Sequence, residues 1–278
     1  MKATYLSRTL MVTSALKIDR FEKGQHSGAD INLIDLEDAV PAADKQLARE
    51  ELAKLRPEQV HGTLGVRINS VHTRDGLADL LTILDSEVEP DLVVVPKVES
   101  PQHIRLVDEI LTKADRSCHL WALIETPRGV ADAMAIGAAS PRLTALTFGL
   151  ADFAAEMGAT LAWDGMLSAR VQVVMAARAS GLVAVDAPTF DLSDNKMLEL
   201  EARKAADIGY SGKIVVHPQQ IAVVNDVFSP SPDAVEWARD VVRSFEQTDG
   251  GIRVVDGSMV GPPFLRKALA ILELQERR

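Results

Sequence analysis

The sequence predicts a closed barrel of eight parallel β-strands alternating with α-helices, a TIM (β/α)8 barrel, with a C-terminal helical extension. Three observations carry that expectation. At 278 residues and 47% hydrophobic, the chain has the size and apolar content of one such barrel. Eight short β-branched or apolar runs recur along it at the spacing of βα units. Helix-period segments separate most of them, and parallel neighbours require such crossovers. Eight units close a barrel more readily than they build an open doubly wound sheet, which is the architectural alternative.

The strand runs, in order, are Thr9–Ser14, Ile31–Leu36, Leu64–Ile68, Leu92–Val95, Leu120–Ile124, Leu143–Phe148, Leu182–Val185 and Lys213–Val216. Helical patterns cover Asp44–Leu55, Thr73–Leu84, Pro101–Lys113, Val130–Ala138, Ser168–Ser180 and Asp194–Ile208. Two starts are well marked: Asp194 is a capping residue, and Ser100 stands before Pro101 at a first helical position. Beyond the eighth run the composition shifts. Phe228–Asp233 (FSPSPD) is a Pro/Ser break, an amphipathic helix follows over Ala234–Gln247, and a turn at Asp249–Gly251 leads into an apolar stretch, Arg253–Val255. Residues 256–263 (DGSMVGPP) read as a loop and 264–276 as a last helix. The expected division is a catalytic barrel over 1–227 and an extension over 228–278. The extension is too short to stand alone and is expected to pack on the barrel or a neighbouring subunit as a lid.

Bulk properties exclude several partners. With 30 basic against 40 acidic residues the net charge is −10, which disfavours nucleic acid and anionic membranes. No run approaches the ~18–20 apolar residues of a membrane span. The first 20 residues lack a long apolar core with a cleavage site, so no signal peptide is read and the mature chain is expected to begin here. A lone cysteine, Cys118, permits no internal disulfide and points to the cytoplasm. Beside a strand, it is expected to be packed rather than reactive.

The strongest chemical signal is a pair of acids. Residues 119–128 (HLWALIETPR) and 144–153 (TALTFGLADF) each deliver one carboxylate, Glu125 or Asp152, at or just past the end of a strand. In a parallel barrel that end is the open, functional face. Two acids from successive strands suit a hard divalent cation such as Mg²⁺, which takes few carboxylates and keeps positions for substrate. The run Asp35–Leu36–Glu37–Asp38 ends the second strand; Glu37 and Asp38 read equally as a helix-dipole cluster or as groups that hold water at a metal. Arg67, in VRIN, ends the third strand, where its guanidinium fits a carboxylate bidentately, either a substrate's or that of Glu37 or Asp38. Lys97, in VVVPKVES, is a second anion contact or a partner of Glu99; so many acids nearby argue against a Schiff-base lysine. The six histidines show no zinc spacing, His217 before a proline fixes a turn, and no GxSxG, P-loop or GxGxxG is present. Gly149 and Gly158 are expected to allow tight turns around Asp152.

Together these segments resemble the HpcH/HpaI aldolase and citrate lyase β-subunit family. The matching stretches are DLEDAVPAADKQLAR (35–49), VRIN (66–69), VPKVES (95–100), ALIETPRGV (122–130), LTFGLADFAAEMG (146–158), AARASGLVAVDAPTFDL (176–192), GYSGKIVVHPQQI (209–221) and DGSMVGPP (256–263). They span nearly the whole chain in order. The resemblance implies a trimeric or hexameric TIM barrel with Mg²⁺, or Mn²⁺ in its place, on Glu125 and Asp152. It implies substrate contact at Arg67 and places Glu37 and Asp38 near the metal's waters. Two departures stand out. Met11-Val12-Thr13-Ser14 replaces the family's FVPG, and Gly261 replaces the second aspartate of DGxMID, which thioester-hydrolysing relatives use.

The expected activity is therefore a Mg²⁺-dependent carbon–carbon lyase. It would act on a 3-hydroxyacyl thioester such as malyl-, citramalyl- or citryl-CoA, or on an acyl carrier protein thioester, giving a 2-oxo acid and an acyl thioester. Arg67, Glu37 and Asp38 would be catalytic, Arg67 and Glu125 substrate-binding, and Glu125 and Asp152 metal-binding. The alternatives are a class II aldolase acting on free 2-oxo acids and a non-catalytic structural or regulatory barrel.

Overall fold

Each of the eight apolar runs forms one strand. The computed structural model, which describes residues 7–246 and 251–276, contains β1 (Thr9–Ser14), β2 (Ile31–Asp35), β3 (Thr63–Arg67), β4 (Leu92–Val95), β5 (His119–Ile124), β6 (Leu143–Phe148), β7 (Val183–Asp186) and β8 (Gly212–Val215). They pair in parallel and in chain order into a closed barrel. Closure comes from β1 against β8, with Thr9, Leu10 and Met11 opposite Lys213, Ile214 and Val215. That pairing rules out the doubly wound alternative.

The connecting helices are α1 (Ile18–Gly24), α2 (Lys45–Ala53), α3 (Arg74–Asp85), α4 (Pro101–Lys113), α5 (Pro127–Gly137), α6 (Leu150–Met157), α7 (Trp163–Ala179), α8 (Asn195–Asp207) and α9 (Ile221–Val227). A side chain caps the start of α3, α5 and α8, whereas Ser100 precedes Pro101 at the start of α4 without a capping hydrogen bond. Asp194 accepts from the N–H groups of Lys196 and Met197, as expected of a cap. Thr126 caps α5 by accepting from Gly129 N–H, and Pro127 sits at the first helical position, so α5 begins three residues before the expected Val130. α7 begins at Trp163 rather than Ser168. α6 lies in a segment expected to turn, although LADFAAEM is made of good helix formers.

Alternation along the strands places the site directly above the core. Leu33, Leu92, Val94, Trp121, Leu123, Ala145 and Val185 fill the barrel interior. Trp121 is fully buried, with its indole N–H donated to the Thr144 hydroxyl. Two residues beyond Leu33 stands Asp35, and two beyond Leu123 stands Glu125. Side chains two apart share a face, so both acids belong to the interior face at the C-terminal mouth. Gly65 on β3 lies so close to Leu33 and Leu92 that any Cβ would collide with them. Arg67, two residues on, shares that face.

By contact the chain divides into two compact units, residues 1–225 and 226–278. In the second, α10 (Pro232–Glu246), β9 (Arg253–Val255), β10 (Ser258–Val260) and α11 (Pro262–Glu276) pack around Ala238, Val241, Val255, Val260 and Ala268. The expected loop over 256–263 is in fact half of a hairpin. Asp256 and Gly257, at φ 48° and 75°, form its turn, and β10 pairs antiparallel with β9. Asp-Gly is a strong hairpin signal because both turn positions need positive φ. The expected turn residues Asp249 and Gly250, like Gln247, lie outside the described residues.

Candidate active site

Burial and charge at the mouth are organised around two cations. Asp35 is fully buried at the end of β2, and β2 and β3 are in register there, with Asp35 opposite Arg67. The guanidinium meets it bidentately: Nε donates to Oδ1 and Nη2 to Oδ2, each at 2.6 Å. Backbone N–H groups of Glu37 and Ala39 donate to the same carboxylate at 2.9 Å. Burial alone would raise the Asp35 pKa, but the Arg67 hydrogen bonds and charge outweigh it and hold the carboxyl below its ordinary range. The principal partner of Arg67 is therefore Asp35. Glu37 and Asp38 are outer contacts, with Nη1 3.1 Å from Glu37 Oε2 and 3.8 Å from Asp38 Oδ2. Glu37 Oε2 is buried at ion-pair distance but accepts no hydrogen bond among the described residues.

Glu125, 3% exposed, follows the last residue of β5. Its Oε1 accepts the backbone N–H of Lys97 at 2.8 Å. Its other oxygen rests against Gly149, where an added Cβ would lie 2.5 Å from Oε2. Gly149 has φ −103°, so it serves close approach rather than a left-handed turn. The turn expected of Gly158 is present, at φ 63° in the C-cap of α6. Burial first, then the charges of Glu37 and Asp152, pushes the Glu125 carboxyl up to about 8. Asp152 sits in the first turn of α6, where the positive helix end favours a carboxylate, and it is 38% exposed.

Lys97 joins these groups. Its ammonium lies 2.7 Å from Glu37 Oε1, 3.4 Å from Asp152 Oδ2 and 3.9 Å from Asp38 Oδ1. Glu99, the expected neighbour, is not among these partners. Burial works against the charged form, but Glu37 and the surrounding acids raise the Lys97 pKa, so it is an ammonium and not a Schiff-base amine. The loop bearing Glu37 is fixed from behind: Lys45 donates to the carbonyls of Leu36 and Glu37, and Asn69 to that of Leu36. Sequence reasoning singled out neither. Asp35 it read only as part of an acid run, although an acid and an arginine at the ends of adjacent strands signal the pair.

All five acids and bases expected at the site, Glu37, Asp38, Arg67, Glu125 and Asp152, thus lie at one mouth. His217 does not join them; it caps the turn at 218–220 by accepting from Gln219 N–H. His72 and His103 meet through their Nε2 atoms at 2.7 Å, too close to share a metal between them. Cys118 is buried with its thiol pushed up to about 11, a packed and unreactive residue.

Among the described residues, no three His, Cys, Asp or Glu side chains form a ready cage for an ion. A hard ion that needs only one or two carboxylates and retains water requires none. Glu125 and Asp152 supply such donors, and an ammonium already stands as a cation beside Asp152. The residues fit Mg²⁺.

The chain is similar to known proteins over most of its length. The model of the HpcH/HpaI aldolase/citrate lyase family matches residues 8–218. Mitochondrial citramalyl-CoA lyase of Mus musculus is 35% identical over 266 residues, covering 88% of this chain and 79% of its own. The (3S)-malyl-CoA thioesterase of Cereibacter sphaeroides is 34% identical, over 91% of this chain and 89% of its own. Among solved structures, CitE from Mycobacterium tuberculosis in complex with magnesium, acetoacetate and coenzyme A superposes with a TM-score of 0.84. It is 30% identical and covers 99% of this chain and 100% of its own.

Proposed function

Because the chain belongs to the HpcH/HpaI aldolase/citrate lyase family, we propose that it is a Mg²⁺-dependent carbon–carbon lyase of the oxo-acid-lyase type. It cleaves or forms a 3-hydroxyacyl thioester, of the malyl-, citramalyl- or citryl-CoA class or its acyl carrier protein equivalent, to a 2-oxo acid and an acyl thioester. The observation that carries this reading is the buried Glu125 just past β5 and the accessible Asp152 in the first turn of α6, joined through Lys97 at the open end of the barrel. The names of the relatives and the ligands of CitE support the substrate class.

Glu125 and Asp152 hold the ion through hard carboxylate oxygens. When bound, Mg²⁺ supplies Lewis acidity at the carboxylate and hydroxyl oxygens of the substrate. Arg67, locked by Asp35 on its Nε–Nη2 edge, keeps Nη1 for the substrate carboxylate, at the position where it meets Glu37. Glu37 is buried and its proton affinity is raised, first by burial, against the charges of Arg67 and Lys97. It is the carboxylate suited to take the hydroxyl proton as the C–C bond breaks, with Asp38 beside it to hold water. The apolar floor of Leu33, Val94 and Leu123 excludes water from below.

The same reading includes a homotrimer or homohexamer acting in the cytoplasm. Ile252, Val254 and Met259 of the β9–β10 region are about 70% exposed, an apolar surface suited to a subunit contact. The lone Cys118 suits a reducing compartment. Among the described residues no helix is long and apolar enough to cross a membrane.

Release of 2-oxo acid from a panel of malyl-, citramalyl- and citryl-CoA, with and without Mg²⁺, tests the activity. Turnover untouched by chelation overturns the metal reading. Inertness toward every thioester, with metal-dependent exchange of pyruvate methyl protons, replaces it with aldolase chemistry on free 2-oxo acids.

A further inference from the structure

Five carboxylates face two cations at the barrel mouth. Arg67 is committed to Asp35 by two charge-assisted hydrogen bonds. Lys97 is left facing Glu37, Asp152 and Asp38 at 2.7, 3.4 and 3.9 Å. Its backbone takes the left-handed conformation, φ 50°, which is unusual for a side-chain-bearing residue and points to a local demand. That conformation accompanies a double engagement: the Lys97 N–H donates to Glu125 while the ammonium reaches Asp152. One residue thus touches both carboxylates assigned above to the metal, and the inference rests on that assignment.

An ordinary surface ion pair joins one acid to one base. Here a single ammonium serves three carboxylates, in a pocket whose acids outnumber its cations. Like-charged carboxylates repel unless a cation sits among them. We propose that Lys97 is a resident counter-cation that stands beside Asp152, with its N–H on Glu125, in the metal-free protein and gives way at Asp152 when the ion enters. It holds the acids together before loading and sets the metal affinity below what the carboxylates alone would give. Once displaced, the ammonium loses Asp152 from its three carboxylates and carries less compensated charge at the mouth, so an anionic substrate and the metal each favour the binding of the other.

The test is metal binding by the full chain, read by calorimetry with Mg²⁺ and by the paramagnetic resonance of free Mn²⁺. Lys97→Met removes the charge and keeps bulk. Lys97→Gly removes the ammonium while suiting the left-handed backbone and keeping the N–H that binds Glu125. Both should bind Mn²⁺ tighter than the native chain by about tenfold or more, because a positive charge within a few ångströms of the ion is gone. Both should also show a lower metal-free Tm and a larger rise on adding metal. Lys97→Arg, which keeps the charge, should bind within a few-fold of native. Unchanged or weaker affinity in both Lys97→Met and Lys97→Gly overturns the proposal while leaving the metal site standing. A native chain that binds no divalent ion, or binding that survives in Glu125→Ala and Asp152→Ala, overturns the site itself and the proposal with it.

Discussion

Gly149→Ala tests whether the seat of Glu125 is as tight as its geometry requires. Ordinary preference favours the substitution: φ −103° is open to alanine, and losing a glycine stiffens the unfolded chain by about 0.4–1 kcal/mol. Contact opposes it. The new Cβ would lie 2.5 Å from Glu125 Oε2 and nearer still to the Glu125 Cβ. Glu125 cannot swing clear, since Oε1 is tied to Lys97 N–H at 2.8 Å and the residue is 3% exposed. Forcing a methyl into a filled site destabilises by about 1–3 kcal/mol, so a net loss of roughly 1–2 kcal/mol is expected in urea unfolding. Displacing a carboxylate that holds a metal should weaken Mg²⁺ binding by roughly 10–100-fold, the usual effect of disturbing the groups behind a ligand. Calorimetric titration beside the unfolding curve reads both. A variant more stable than native, with unaltered Mg²⁺ affinity, would show that Glu125 does not sit against this glycine in solution.

Four further outcomes follow from the same geometry. Glu125→Ala or Asp152→Ala should each abolish most Mg²⁺ binding with the barrel still folded, as titration and circular dichroism would show; unaltered binding in both would sink the assignment. Arg67→Lys should lower kcat/KM by about 2–4 kcal/mol in transition-state terms, since a point charge cannot keep the Asp35 fork and also reach a substrate; near-native turnover would make Arg67 purely structural. Asp35→Asn removes the buried guanidinium's bidentate counter-charge, leaving only Glu37 and Asp38 on Nη1, and should destabilise by about 3 kcal/mol at neutral pH. Because the folded Asp35 pKa is depressed, its contribution is fully present above the ordinary 3.8 and is lost as pH falls through the lower folded value; the variant's stability should therefore fall less in strong acid, and an identical acid limb would count against the pair. If the aspartate that the family resemblance implies at position 261 serves thioester hydrolysis, Gly261, just before α11, removes it here, and a free-thiol assay should show C–C cleavage with little CoA release; fast release that survives Asp256→Ala would refute it.

The barrel was legible because its strands are short, apolar and separated by capped helices. Misreadings arose where one residue carried two signals. The stretch through Asp152, just past the end of a strand, was read as a loop, since Gly149 and Gly158 look like turn residues. Yet Gly149 is the N-cap of α6, and Asp152 belongs to that helix's first turn. At 256–257 the glycine and proline content of DGSMVGPP suggested a loop, while the Asp-Gly pair inside it sets the register of β9 and β10.

The composition of the site was legible, but its pairing was not, and the reason is topological. Arg67 was read as a clamp for a substrate carboxylate or as a partner of Glu37 or Asp38, and both of those acids do lie beside it as outer contacts. The strand register puts Asp35 opposite it, and two parallel bonds to a planar fork outcompete single contacts to flexible neighbours. Lys97 was read as a second anion contact or as a partner of Glu99, its neighbour along the chain. Its left-handed backbone accompanies a reach to Glu37, 60 residues away, which the side-by-side order of β2, β3 and β4 brings near. The sequence reading put the ion on Glu125 and Asp152 alone, and the pairing is consistent with that choice. Pairing removes Asp35 to Arg67 and engages Glu37 with both cations, which leaves Glu125 and Asp152 as the carboxylates an ion can claim at least loss, provided the Lys97 ammonium moves aside.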